Sequence, residues 1–209
     1  MGTRSKRSER CPRCRLQSQL CICDAAPRLE LATRLIMVMH KREWSKPTAT
    51  GPLALAVLAN SELRIQGERE HPLDFRDLEG NGRRTLLLYP GDEAPVLSQS
   101  LLARDPRPVD LVVPDGNWRQ AARMGKRLPG LEHAMMVRLP AGEKTAWGVR
   151  RESHPEGLAT FEAIARALGI IESGEVQQRM EDLFLLMVSR TLEAREGRWR
   201  AEEVPTSLP

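Results

Sequence analysis

All four cysteines of the chain, Cys11, Cys14, Cys21 and Cys23, fall in one thirteen-residue segment with the spacing C-x2-C-x6-C-x-C. Four thiolates so close can converge tetrahedrally on one metal ion, and a Cys-Pro-x-Cys turn presents two sulfurs to the same side. The opening residues, MGTRSKRSER, hold no apolar stretch able to act as a secretory signal. No run approaches the ~20 apolar residues of a membrane helix. A cytoplasmic, reducing setting without a membrane partner is therefore expected, and it disfavours disulfides. Structural zinc is the expected ligand, with an iron–sulfur cluster or redox pairs as the alternatives. Because all four ligands are sulfur, no position is left for water, so the metal would organise the fold and not catalyse.

Charge sharpens this picture. The net charge over 209 residues is +4. Residues 1–15 alone carry Arg4, Lys6, Arg7, Arg10, Arg13 and Arg15 against Glu9, a net of +5. A zinc ion held by four thiolates has a formal charge of about −2, which these cations would offset. They also suit a polyanion, which makes Arg4, Lys6, Arg7 and Arg13 candidate RNA contacts. The plainer reading is a solvated tail. The expected division is a basic four-cysteine zinc-binding module at 1–28, a main domain at 29–200 and a tail at 201–209.

The remaining chain alternates strand-like and helix-like runs, and 209 residues suffice for a core without disulfides. Leu35–Met39, Thr85–Tyr89, Asp110–Val113 and Ala134–Leu139 read as strands. Leu53–Leu58 reads as a helix that Thr50 would cap, and a second should run from Trp118 through Arg127. Phe161–Leu168, with Thr160 as its N-cap, and Glu175–Arg195 complete the helices. Residues 67–83 read as a polar surface excursion. This alternation implies an α/β fold with a mostly parallel sheet, whose ligands bind outside the carboxyl ends of the strands. Two such ends carry Tyr89-Pro90-Gly91 and Asp115-Gly116-Asn117-Trp118. The glycines permit close approach of a ligand, while Trp118 would either wall the pocket or lie in the core. No dinucleotide fingerprint or P-loop is present. His40 and Glu43 lack a second metal-binding pair, and Ser153-His154 lacks a nucleophile elbow, so a hydrolase is not expected.

The ordered set of Cys11-Pro-x-Cys14…Cys21-x-Cys23, Leu88-Tyr89-Pro90-Gly91, Asp115-Gly116-Asn117-Trp118-Arg119-Gln120-Ala121-Ala122-Arg123-Met124 and Leu158-Ala159-Thr160-Phe161-Glu162-Ala163 resembles the DTW-domain family. Its members are tRNA-uridine aminocarboxypropyltransferases. The resemblance covers about residues 11–195. It implies a SPOUT-like fold with a carboxyl-terminal trefoil knot that binds S-adenosylmethionine. It also implies transfer of the 3-amino-3-carboxypropyl group to N3 of a tRNA uridine, with release of 5′-methylthioadenosine. Two positions depart from the family pattern: Asn117 stands in place of Thr, and Ala49 replaces an Asn between Thr48 and Thr50.

On that resemblance Asp115 is the candidate general base for the N3 proton, though an Asp at a strand–helix junction also serves as an N-cap. Tyr89, Pro90, Gly91, Gly116, Trp118, Leu139, Pro140, Leu158 and Thr160 are the candidate donor-binding residues. Arg119, Arg123, Lys126 and Arg127 share one face of the expected helix and are candidate tRNA contacts. Residues 115–151 carry eight basic and three acidic residues, whereas 172–203 carry five and eight. The alternatives are an RNA methyltransferase using the same donor and an inactive zinc-containing RNA-binding protein. No sequence stripe fixes an oligomeric state.

Overall fold

The structure is a computed structural model that describes residues 9–44, 46, 49–67, 73–89, 91, 93–116, 128, 130–142, 144–147 and 157–198. Five strands form one wholly parallel sheet: β1 (Arg34–His40), β2 (Ser61–Gln66), β3 (Arg84–Leu88), β4 (Val109–Asp115) and β5 (Met135–Val137). Their order is β2-β1-β4-β3-β5, so β4 is inserted between two strands that precede it in the chain. Residues of β4 are buried throughout, as a central parallel strand covered on both faces requires.

Alternation along the strands feeds two cores. Leu35, Leu86, Leu88, Leu111 and Val113 face a large cluster completed by α2 (Gly51–Val57), α4 (Thr160–Ile171) and α5 (Gly174–Arg195). Ile36, Val38, Leu87 and Val112 face a smaller one built with Phe75, Leu78, Leu128 and Leu131. In the larger core Phe184 lies between Phe161 and Trp147, both with ring centroids 5.7 Å away. The one-turn helices α1 (Lys41–Trp44) and α3 (Gln99–Leu102) complete the described elements. Cys14 and Ile22, from the cysteine segment, are buried in the same core as α5.

All four expected strands are present, and three differences stand out. Residues 61–66 form an edge strand whose weak signal is the alternation of Leu63 and Ile65 with Glu62 and Arg64. The described part of the 67–83 excursion is not simply surface, because Phe75 and Leu78 are fully buried beneath Ile36 and Leu87. Neither expected threonine cap forms. Thr50 makes no capping bond to α2, and Ala159 precedes α4, leaving Thr160 inside the first turn. Both hydroxyls are engaged in tertiary contacts at the sheet edge. The helix expected from Trp118 to Arg127 lies outside the described residues. Among those residues, no helix is long and apolar enough to cross a membrane.

Candidate active site

Every strand points the same way, so the carboxyl ends gather at one edge, and Asp115 is the last residue of β4 there, beside Met39 of β1. It is 6% exposed. The Thr160 hydroxyl, on the first turn of α4, donates to Asp115 Oδ1 at 2.7 Å. Gly51, the first residue of α2, closes the other side. A Cβ built there would lie 2.4 Å from Asp115 Oδ2 and 2.6 Å from Met37 Sδ, so no side chain fits. Phe161 N–H donates to Thr50 Oγ1 at 3.3 Å and ties the two helix starts together. The carboxylate thus sits where the first turns of two helices converge.

Beside it lie the other strand ends. Tyr89 extends β3, its N–H donating to the Val137 carbonyl at 2.8 Å. The Tyr89 ring folds over Gly91, where a Cβ would meet Cε1 at 2.4 Å. Only glycine allows that approach. Arg138 fastens the segment before Leu139 and Pro140 to the 89–97 loop. Its N–H donates to Pro95 O at 3.0 Å, its Nε to Ala94 O at 3.1 Å, and its carbonyl accepts from Leu97 N at 2.8 Å. Leu139 is half-buried against the larger core and Pro140 is exposed. Leu158 and Gly116, both half-buried, adjoin Thr160 and Asp115 in the chain. Of the predicted donor-binding residues, the structure therefore brings Tyr89 and Gly91 to the strand ends that carry Leu139 and Pro140. It sets Thr160 directly on Asp115. Pro90, Trp118 and Asn117 lie outside the described residues.

Sequence reasoning misses Glu162. It is buried on α4, accepts from Ala159 N at 3.0 Å and Ala146 N at 2.8 Å, and also accepts from the Thr145 hydroxyl. Segment 145–146 is thereby fixed to the helix that carries Thr160. Its sequence signal is a Glu three residues after the N-cap position, the spacing of a capping box. Thr50 and Gly51 are missed as neighbours of Asp115, because their contacts span more than sixty residues of chain.

The cysteine segment meets the far end of α2. All four Sγ atoms lie within 4.8 Å of one another, with Cys11–Cys23 at 3.5 Å and Cys14–Cys21 at 3.9 Å. A tetrahedral zinc with Zn–S bonds of ~2.3 Å needs sulfurs about 3.8 Å apart, so the cluster has the size for a metal ion. Arg15 takes the left-handed conformation, φ 65°, which turns the chain back after Cys14. Burial raises the Cys14 thiol. It also acts to raise Cys11, but backbone N–H groups of Cys14 and Arg13 and the neighbouring thiols bring that group down to about 6. Arg13 donates to Ala56 O at 3.4 Å, and the Arg15 guanidinium lies 4.4 Å above the Trp44 ring. Arg4, Lys6, Arg7, Arg119, Arg123, Lys126 and Arg127 lie outside the described residues. Among those residues, no other group of three His, Cys, Asp or Glu side chains has metal-binding geometry. Glu43 is instead paired with Lys46 at 2.6 Å, and His40 Nδ1 accepts from Arg42 N at 3.1 Å.

A family model described as the DTW domain matches residues 8–192. A Macaca fascicularis protein named tRNA-uridine aminocarboxypropyltransferase 2 is 29% identical over 179 residues, covering 83% of this chain and 60% of its own length. The Drosophila melanogaster protein of the same name is 24% identical, with coverages of 80% and 68%. The chain thus spans about 60% of the length of the mammalian relatives it matches. Among solved structures, the SAM-dependent rRNA:acp-transferase Tsr3 from Vulcanisaeta distributa superposes with a TM-score of 0.51 at 16% identity. That match covers 81% of this chain and 83% of the other, and it shows a shared fold.

Proposed function

We propose, since the chain belongs to the DTW-domain family, that it transfers the 3-amino-3-carboxypropyl group of S-adenosylmethionine to N3 of a uridine in tRNA. The names of the matched proteins support this reading. The observation that carries it is the shielded Asp115 carboxylate, fixed by Thr160 at the sheet edge where parallel α/β folds bind ligands. The uridine N3–Cγ bond forms as the Cγ–S bond of the donor breaks. Sulfur keeps the electron pair and leaves as neutral 5′-methylthioadenosine, and the N3 proton passes to Asp115. A sulfonium is already an excellent leaving group, so the protein's work is orientation, exclusion of water and acceptance of one proton.

In this reading Tyr89, Pro90, Gly91, Gly116, Trp118, Leu139, Pro140 and Leu158 form the donor cradle, and Thr160 serves the base. Cys11, Cys14, Cys21 and Cys23 hold zinc, which braces the loop and takes no part in the chemistry. Arg4, Lys6, Arg7, Arg13, Arg119, Arg123, Lys126 and Arg127 contact the tRNA backbone. The finer fold assignment, SPOUT-like with a knotted carboxyl-terminal part, belongs to the same proposal and is supported by the interleaved strand order. So do the 1–28, 29–200 and 201–209 division and a cytoplasmic location.

Incubation with S-adenosylmethionine and unmodified tRNA tests it. Methylthioadenosine together with acp-modified uridine is the expected outcome. S-adenosylhomocysteine would identify a methyltransferase instead, and tRNA binding without either product would identify an inactive RNA-binding protein.

A further inference from the structure

At the opposite edge of the sheet, around the amino ends of β3 and β5, lies a cavity of about 360 Å³. It arises from a mismatch in strand length. Met135, the first residue of β5, pairs with Leu86, so Arg84 and Thr85 have no described strand beside them on that flank. Leu86, Leu101 and Met135 supply apolar walls, and Arg84, Arg104, Arg107 and His133 supply the polar lining. Asp105 and Glu79 are the acidic groups present.

The cations here are not equally occupied. Arg83, also on the lining, is fully used: its Nε meets Asp110 at 2.5 Å, and its Nη2 donates to the Ala32 and Val109 carbonyls at 2.6 and 2.8 Å. Arg107 is held by Asp105 through Nε at 3.0 Å and Nη2 at 2.7 Å. His133 Nε2 lies 3.2 Å from the Thr85 hydroxyl. Arg84 differs, because among the described residues its guanidinium has no ion pair and its Nε is sealed from solvent without an acceptor. Burial lowers its pKa, with Asp105 opposing and Arg107 adding to the effect. Arg104, exposed at the end of α3, likewise has no ion pair among the described residues. An anion entering the notch would meet these two lining guanidinium groups, neither of which is offset by a carboxylate partner among the described residues.

We infer that this notch is a phosphate-binding subsite, in which Arg84 and Arg104 grip a phosphate group against the apolar wall of Leu101 and Met135. A backbone phosphate of RNA and the phosphate of a free nucleotide present the same oxygens. The notch opens beside Arg84, which pairs with Val109, six residues before Asp115 on β4. At ~3.3 Å per residue that is about 20 Å from the carboxylate, the length of roughly six stacked nucleotides. An RNA strand engaged at both edges of the sheet has the reach to fill the subsite.

The test uses the full chain with Arg84→Met, which keeps the aliphatic packing, and Arg104→Gln, an exposed change that leaves the fold alone. Unmodified tRNA is titrated across a salt series, and uridine 5′-monophosphate is titrated separately by calorimetry. If the ligand is RNA, each variant weakens tRNA binding about 3- to 10-fold near 0.1 M salt and lowers the slope of log K against log salt by about 1. If it is a free nucleotide, binding of the monophosphate is lost in both variants and tRNA affinity is unchanged. Unchanged tRNA affinity and slope, with no monophosphate binding to the wild type, overturns the subsite. The inference rests on the proposed RNA substrate but not on the reaction carried out on it. A chain that binds tRNA through the notch yet forms no product would refute the reaction and keep the subsite.

Discussion

Asp115 is the residue on which the proposed chemistry turns, and its surroundings were only partly legible. A strand run followed by Pro-Asp-Gly placed a carboxylate at the carboxyl edge of a parallel sheet, and the structure has it there. What local sequence could not reveal is the pair of distant residues that orient it. Thr160 looked like a helix cap because threonine before an amphipathic run usually is one, yet its hydroxyl reaches across to Oδ1. The need for glycine at position 51 appears only once Asp115 Oδ2 is packed against it. Asp115→Asn should abolish product formation while leaving donor binding intact, read by product analysis alongside calorimetry. Turnover at the wild-type rate would remove Asp115 from the role of base. Gly51→Ala carries no helix-propensity penalty, but its methyl group must displace the carboxylate or Met37. A displacement near 1 Å predicts a fall in kcat of about 100-fold with the chain still folded, measured by single-turnover kinetics and circular dichroism.

Elements were more legible where they were buried. β1, β3 and β4 announce themselves as continuous apolar runs, whereas β2 is an edge strand with half-exposed residues and a charge at every second position. It is anchored instead by an ionic web. Arg34 reaches Glu62 and Asp77 at 2.9 Å each, and Arg64 reaches Asp77 at 2.8 Å while lying 5.0 Å over the Phe75 ring. This web joins β1 and β2 to the 74–78 turn, which is why a polar-looking excursion buries Phe75 and Leu78. Hydrogen bonds from Arg64, opposed by partial burial and reinforced by Arg34, hold Asp77 below the usual carboxylate range. Because its folded pKa is depressed, Asp77 stabilises the fold above its unfolded value of ~3.9, and that contribution fades as pH falls through the folded pKa. Asp77→Asn should therefore cost about 0.5–1 kcal/mol at pH 7, discounted for its half-exposed side chain, and less near ~pH 3, below the unfolded value. Urea unfolding at the two pH values checks this, and an equal cost at both would show that charge is not the cause.

At the scale of the whole molecule, the cysteine segment packs against the larger core. Cys14 and Ile22 are buried with α2 and α5, and Arg190 of α5 donates to the Cys21 carbonyl. Cysteine spacing made the cluster legible, but its docking partner lies too far along the chain for any local pattern to show. A structural metal should accordingly stabilise the entire fold. Replacing Cys11 and Cys14 by Ser, or stripping metal with a chelator, should lower metal content and stability together. The expected loss is about 3 kcal/mol or more, or roughly 6–12 °C in Tm for a chain of this size. Elemental analysis with thermal melts checks this, and metal-free wild type melting at the same temperature would exclude a structural ion.

The contact between Arg190 and Cys21 also has a consequence in time. The two residues are 169 positions apart, and at ~5–20 residues per second the ribosome needs roughly 10–30 s to pass from one to the other. For most of that interval the four thiols have been made while the helix that will pack against them has not. A metal ion captured early would shield them from oxidation while the rest of the chain is still being written.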